Sequence, residues 1–345
     1  MPRYDIYKTL AETTAYLRQL RDFNPFTIHR KGTRSKALFA LALVCILWGT
    51  TWIASKEGVR HMPALQMAGI RQLIAGILYV GFFLYRGARF PRGKEWNHIL
   101  VLGFLNFIMS NGLSTWGVQY ISAGLGSIMG AIFPLWLVVI GLFAAKGKPP
   151  RNAVIGLLLG FAGVCVIFYE HLGDFLIPDF RFGIFLSLIA TWTWAFATLY
   201  TKKKAEHFNP YFSLGLQMLI SGLTLILCTK AGSAIVSAPQ AGKLFIPMES
   251  IPLESWLAII YLVVFGSVIA FVCYLYALQN LPVEQASIYA YINPVVAVLC
   301  GWMIFAEKVT VFIAVGGAVT LLGVYLVNKA FKSAISAEQP EAEAV

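Results

Sequence analysis

"SIYAYINPVVAVLCGWMIF", Ser287 to Phe305, sets a proline in the middle of an apolar stretch long enough for an unbroken helix. The same statement is made 160 positions earlier in "SIMGAIFPLWLVVIGLFAA", Ser127 to Ala145, with serine, isoleucine and proline at matching places. The correspondence runs on without a gap, pairing Gln119 with Gln279, Gly156 with Gly316 and Gly163 with Gly323. Earlier in each half the offset becomes 146: Trp48 pairs with Trp194, Lys56 with Lys202, and "LIAG" (Leu73 to Gly76) with "LISG" (Leu219 to Gly222).

Composition says where such a repeat must live. Of 345 residues 58% are apolar and 12% charged, with a mean hydropathy of +0.71, too apolar for a protein folded in water. Crossing about 30 Å of hydrocarbon takes roughly 20 apolar residues in a helix. Ten windows meet that need, at about 37–56, 63–85, 98–117, 121–145, 152–169, 182–201, 211–229, 255–278, 284–306 and 310–328. The fold class expected is therefore an all-α membrane protein of ten transmembrane helices. Each half holds five of them, and an odd number turns the second half upside down, so the two five-helix repeats are inverted around a central cavity. The domains expected are a basic segment 1–36, a first repeat 37–169, a second repeat 182–328 and a C-terminal tail 329–345.

Basic residues give the orientation. Lys56, Arg60, Arg181, Lys230, Lys243 and Lys308 fall on one side of the membrane, Arg71 lies within a helix, and the other twenty Lys/Arg fall on the opposite side. By the positive-inside rule that richer side is the cytoplasm, with both termini in it. The same bias accounts for the net charge of +11 without any nucleic acid. Within the first 36 residues, Ile6, Leu10, Leu17 and Leu20 fall near one face of a helix from about Tyr4 to Arg21, which reads equally as an interfacial helix on an anionic leaflet or as a basic tail.

Several chemistries are excluded. The five cysteines lie in apolar windows with no metal spacing, the histidines and acids sit in termini, loops or helix ends, and no GxxxxGK[ST] loop occurs. Enzymatic activity, a cofactor and ATP-driven transport are not expected. With no acid or histidine inside a span, the expected coupling is facilitated diffusion or exchange rather than proton cotransport.

"LWGTTWIASK" (Leu47 to Lys56), "RQLIAG" (Arg71 to Gly76), the two proline helices with their trailing glycines, and "FAEKVTVFIAVGGAVTLLGVYLV" (Phe305 to Val327) together resemble the EamA-type branch of the drug/metabolite transporter superfamily. The resemblance covers about residues 37–328. It implies ten helices in two EamA repeats and export of small metabolites or amino acids across a bacterial inner membrane. One departure is the acid at the end of the fourth and ninth helices, which is Glu307 in the second half and Gly147 in the first. Glu307 is accordingly read as a local cap or loop contact.

Partners expected are the lipid bilayer and a small-molecule substrate; a homo-oligomer is compatible with the chain. The leading candidate for substrate contact is Arg71, roughly 12 Å below the outer boundary at 1.5 Å per residue. No carboxylate lies at its depth, so its counterion is the substrate, or else it bonds freed carbonyls and amides such as Asn111 or snorkels outward toward Glu57. Trp48 lies at a similar depth, too far in for the interfacial belt, and shares a face with Thr51; Trp194 is its repeat mate. The third helix carries Asn106, Ser110, Asn111, Ser114 and Thr115, where Asn111 and Ser114 or Thr115 share a face; such groups either bond between helices or line a wet cavity. Of the ninth helix's two polar pairs, Tyr289 with Asn293 and Ser287 with Tyr291, at least one faces inward. Pro134 and Pro294 each remove a backbone donor inside a helix, as a static kink or as a hinge. A membrane scaffold without transport activity is the alternative function, though it has no need of inverted halves.

Overall fold

The computed structural model describes residues 34–133, 135, 136, 139, 140, 151–170, 173–204, 209–236, 242–281 and 289–342. Expectations that fall on Pro134, on the segment 1–33 or on residues 282–288 lie outside these. Among the described residues ten main helices follow in chain order: α1 (Arg34–Gly58), α2 (Ala64–Tyr85), α3 (Glu95–Gly117), α4 (Ala123–Ala131), α5 (Arg151–Glu170), α6 (Pro178–Lys204), α7 (Pro210–Ile235), α8 (Leu253–Asn280), α9 (Tyr289–Phe305) and α10 (Val311–Ala342). Among the described residues six helices, α1, α2, α3, α6, α7 and α8, are long and apolar enough to cross a membrane, and shorter apolar stretches lie in α5, α9 and α10.

Local signals set the boundaries. Ser122 caps α4, its Oγ accepting from the Leu125 amide at 3.0 Å. The Asn209 side chain accepts from the amides of Tyr211 and Phe212 at 3.0 and 3.2 Å, with Pro210 at the first helical position. The connection after α7 is tied down by a reciprocal amide pair: Gln66 Nε2 donates to the Ile246 carbonyl at 2.7 Å, and the Ile246 amide donates to Gln66 Oε1 at 2.9 Å. At the C-terminus α10 continues through the segment expected to be a tail, since the alanines, lysines and glutamates after Asn328 are good helix formers in water.

The packing maps onto itself when each helix is exchanged for the one five later. The most extensive contacts are α5 with α10 and α2 with α7, each pair its own mate. The α1–α8 and α1–α9 contacts are matched by α6–α3 and α6–α4. The repeated glycines explain the closest approaches. A Cβ on Gly76 would lie within 3.0 Å of the Leu219 backbone, and one on Gly222 equally close to the backbone of Leu73 and Gly69. Gly163 against Thr320 and Gly323 against Gly160 repeat this between α5 and α10. Between helices in lipid, such close van der Waals packing replaces the hydrophobic effect as the source of association. Large apolar side chains such as Phe39, Ile46, Leu158, Phe161, Leu227 and Met303 face outward, which suits acyl chains rather than water.

Two features depart from plain α-helix. Phe104–Gly112 in α3 and Leu262–Ile269 in α8 are π-helical, and the two stretches overlap when superposed by the 160-residue offset. A π turn moves carbonyls out of the i−4 register, where side chains can reach them.

Candidate functional site

The repeat mates Trp48 and Trp194 meet, ring centroids 6.2 Å apart at 83°. Around them Trp48 packs on Phe271, Tyr274 and Tyr289 at 5.0–5.1 Å. Their indole N–H groups are spoken for: Trp48 Nε1 donates to the Gly266 carbonyl and Trp194 Nε1 to Tyr289 Oη, each at 3.2 Å. The first acceptor belongs to the π stretch of α8. Two further carbonyls there, of Ser267 and Val268, accept from Tyr79 Oη at 3.3 and 2.9 Å.

Arg71 enters the same place from α2. It is 5% exposed, and its Nε donates to Ser267 Oγ at 2.9 Å. Nη2 lies over Gly266, where an added Cβ would meet it at 3.2 Å and Thr51 Cγ2 at 2.7 Å. Glycine at 266 thus makes room for the guanidinium. Neither Asn111 nor a carboxylate is its partner: Asn111 Oδ1 accepts from Gln72 Nε2 at 2.8 Å, and Glu57 pairs with Arg60 at 2.9 Å. Among the described residues Nη1 and Nη2 meet no protein acceptor.

A cavity of about 160 Å³ opens beside the guanidinium. Of the nine candidates read from the sequence, Trp48, Thr51, Arg71, Asn111, Ser114, Trp194, Tyr289 and Asn293 line it. Tyr291 lies within α9, and its side chain falls outside the described residues. The walls differ in character. On α2 and α3 stand the Arg71 guanidinium, the Asn111 amide and the hydroxyls of Ser110, Ser114 and Thr115, while Trp48, Trp52, Phe133, Phe271 and Tyr289 form the aromatic side. Asn293 is partly structural, its amide nitrogen, once oriented toward acceptors, donating to the carbonyls of Cys45 and Tyr289 at 2.9 and 3.0 Å. Phe271 was missed from the sequence; Trp52 rests on Gly126 and Gly130 of α4, a Cβ on Gly130 falling 2.9 Å from its ring.

A second cavity of about 100 Å³ shares Asn106, Trp194 and Phe271 with the first. Trp194, Thr198, Thr201, Gln217, Phe271, Tyr274 and Leu275 of the second are the repeat mates of Trp48, Trp52, Ser55, Arg71, Asn111, Ser114 and Thr115 of the first. The mates differ in chemistry, an arginine facing a glutamine and polar groups on α3 facing aromatic and aliphatic ones on α8. Glu95 and His98 also line the second cavity. They lie at the start of α3, as expected of helix-end residues, yet they face a cavity. Glu95 is held by Arg89 at 2.8 and 2.9 Å and by the Arg92 amide at 2.7 Å, and its hydrogen-bonded carboxylate holds the exposed Arg89 guanidinium above its ordinary pKa. His98 Nδ1 bonds Tyr200 Oη at 2.5 Å.

Glu307 is a cap. Its carboxylate accepts from the amides of Ala123 and Gly124 at 2.9 and 3.2 Å, at the N-terminus of α4. Lys56 binds the other side of that corner, donating to the carbonyls of Val118, Ile121 and Gln119 at 2.8, 2.7 and 3.4 Å, where α3 ends. Each charge complements the helix terminus it touches.

An all-helical, multi-span chain with two related halves and a lined cavity where they meet is a membrane transporter rather than an enzyme. The chain belongs to the EamA-like transporter family, which matches residues 35–169 and 181–329. It is 32% identical over 268 residues to the uncharacterized inner membrane transporter YedA of Escherichia coli (strain K12), covering 77% of this chain and 80% of that one. The uncharacterized transporter YvbV of Bacillus subtilis (strain 168) is 31% identical over 289 residues, covering 80% and 91%. A solved crystal structure overlays with a TM-score of 0.60 at 18% identity, covering 86% of this chain and 98% of that one, a likeness of fold.

Proposed function

We propose that this transporter moves small amphipathic carboxylates, amino acids or close relatives, by alternating access, and that it works in export across a bacterial inner membrane with both termini cytoplasmic. The observation that carries the reading is the pair of cavities lined by repeat mates and meeting at Asn106, Trp194 and Phe271. In an inverted repeat, exchanging the conformations of the two halves converts one cavity into the other. Arg71, Asn111 and Ser114 would hold the carboxylate, while Trp48, Trp194 and Tyr289 take the apolar part. Thr51 and Asn293 complete the lining, and Pro134 and Pro294 serve as hinges in their respective halves. A cavity near 160 Å³ is comparable to one that accepts benzene, about 150 Å³, which favours solutes with one ring or a short branched chain.

Proteoliposomes containing the full chain test the reading with labelled phenylalanine, leucine and 3-phenyllactate. Saturable uptake of at least one above protein-free vesicles is expected, reduced by the other carboxylates and not by their amides. Uptake of none of the three by folded protein would remove the proposal.

A further inference from the structure

Arg71 and its repeat mate Gln217 are treated unequally by their surroundings. Gln217 is neutral and fully engaged, Oε1 accepting from Asn106 Nδ2 at 3.2 Å and Nε2 donating to Ser213 Oγ at 3.0 Å. Arg71, which lines the first cavity, has one neutral hydroxyl as its hydrogen-bond partner and two amino groups that meet no acceptor among the described residues. Among the described residues no Asp or Glu lines that cavity. The single acid of the second cavity, Glu95, is already bound by Arg89 and by the Arg92 amide. One half of the site therefore carries a unit charge that no described residue neutralises.

A carrier that alternates between two sides must pass through a form closed to both. In that form water leaves the cavity, and a charge loses its solvation unless a partner of opposite sign is sealed in with it. With a carboxylate beside the guanidinium, the sealed cavity holds a neutral, charge-assisted pair. When empty, it would have to enclose a bare guanidinium. The loaded carrier therefore crosses and the empty one is held back on whichever side it last opened.

We infer that this protein is an obligatory exchanger, returning one carboxylate for each it carries. The inference rests on the proposed role of Arg71 as the carboxylate's partner. Exchange of this kind is electroneutral, and its net flux is set by whichever second carboxylate supplies the return leg.

The test uses full-length protein in proteoliposomes loaded with labelled 3-phenyllactate, whose single negative charge makes the pair with the guanidinium neutral. Efflux is measured into buffer alone and into buffer saturated with the same unlabelled solute. Wild type should release label at least about tenfold faster into the saturated buffer, equivalent to about 1.4 kcal/mol between the empty and loaded barriers. Arg71→Gln, which gives α2 the residue its repeat mate has, should bring that ratio close to one even as affinity falls. Equal wild-type rates into both buffers, with carboxylate binding still weakened by Arg71→Gln, would overturn exchange and leave the carboxylate site standing. Undiminished carboxylate binding in Arg71→Gln would instead remove the reading beneath the inference. The wild-type ratio stands as a test even if the variant fails to fold.

Discussion

Replacing Arg71 with glutamine should weaken binding of 3-phenyllactate at least about tenfold and leave binding of its amide within about twofold. A hydrogen bond to a charged group contributes about 1.5–3 kcal/mol, and each 1.4 kcal/mol is tenfold in affinity. The guanidinium is buried and anchored through Nε to Ser267, and its two amino groups meet no acceptor among the described residues, so its contribution is expected to go to an anion that enters the cavity it lines. An amide offers no charge to lose. Isothermal titration of both ligands against wild type and variant in detergent checks this. Equal losses for acid and amide together with a lowered melting temperature would make Arg71 a structural residue, holding α2 to the π turn of α8.

The second large effect is on stability. Gly222→Val should lower the melting temperature in detergent by roughly 5–10 °C, corresponding to about 2–3 kcal/mol of overpacking. The added Cβ alone would sit within 3.0 Å of the Leu73 and Gly69 backbone, and backbone cannot rotate away as a side chain can. Gly76→Val presses on Leu219 from the other helix and should behave alike. Gly81→Ala, on α2 with nothing within 4 Å of the added carbon, should leave the melting temperature unchanged or slightly higher. A Gly222→Val protein as stable as wild type would mean that α2 and α7 do not pack as described.

These two positions also show what could be read from the chain. Gly76 and Gly222 are legible because the repeat states them twice and because a small residue in lipid has few other uses. Trp48 and Trp194 are legible for the same reason, at a depth where an interfacial role is excluded. The anchor of Arg71 was not. Ser267 belongs to a π turn, and "LVVFGSVI" has no local signature that distinguishes it from α-helix; the turn is accompanied by Trp48, Tyr79 and Arg71, donors from two other helices that take up its carbonyls and hydroxyl. Glu307 was read as a cap or loop contact, yet the element it caps, α4, lies far off in sequence, and only the tertiary fold brings Ala123 and Gly124 to it. Likewise the second cavity became recognisable as the mate of the first only once both linings were in view, since Gln217, Phe271 and Tyr274 carry little of the chemistry of Arg71, Asn111 and Ser114.

That the two cavities are the two faces of one alternating site is tested most directly at a mated pair of lining positions, Ser55 and Thr201. Each is replaced singly by cysteine in a chain whose five native cysteines are alanine. Labelling by a membrane-impermeant thiol reagent is then measured in oriented vesicles, with and without saturating 3-phenyllactate. The expected result is labelling of Ser55→Cys from the outer side and of Thr201→Cys from the inner side, with the ligand raising one rate and lowering the other. Labelling of both from the same side, or rates that rise or fall together, would contradict it.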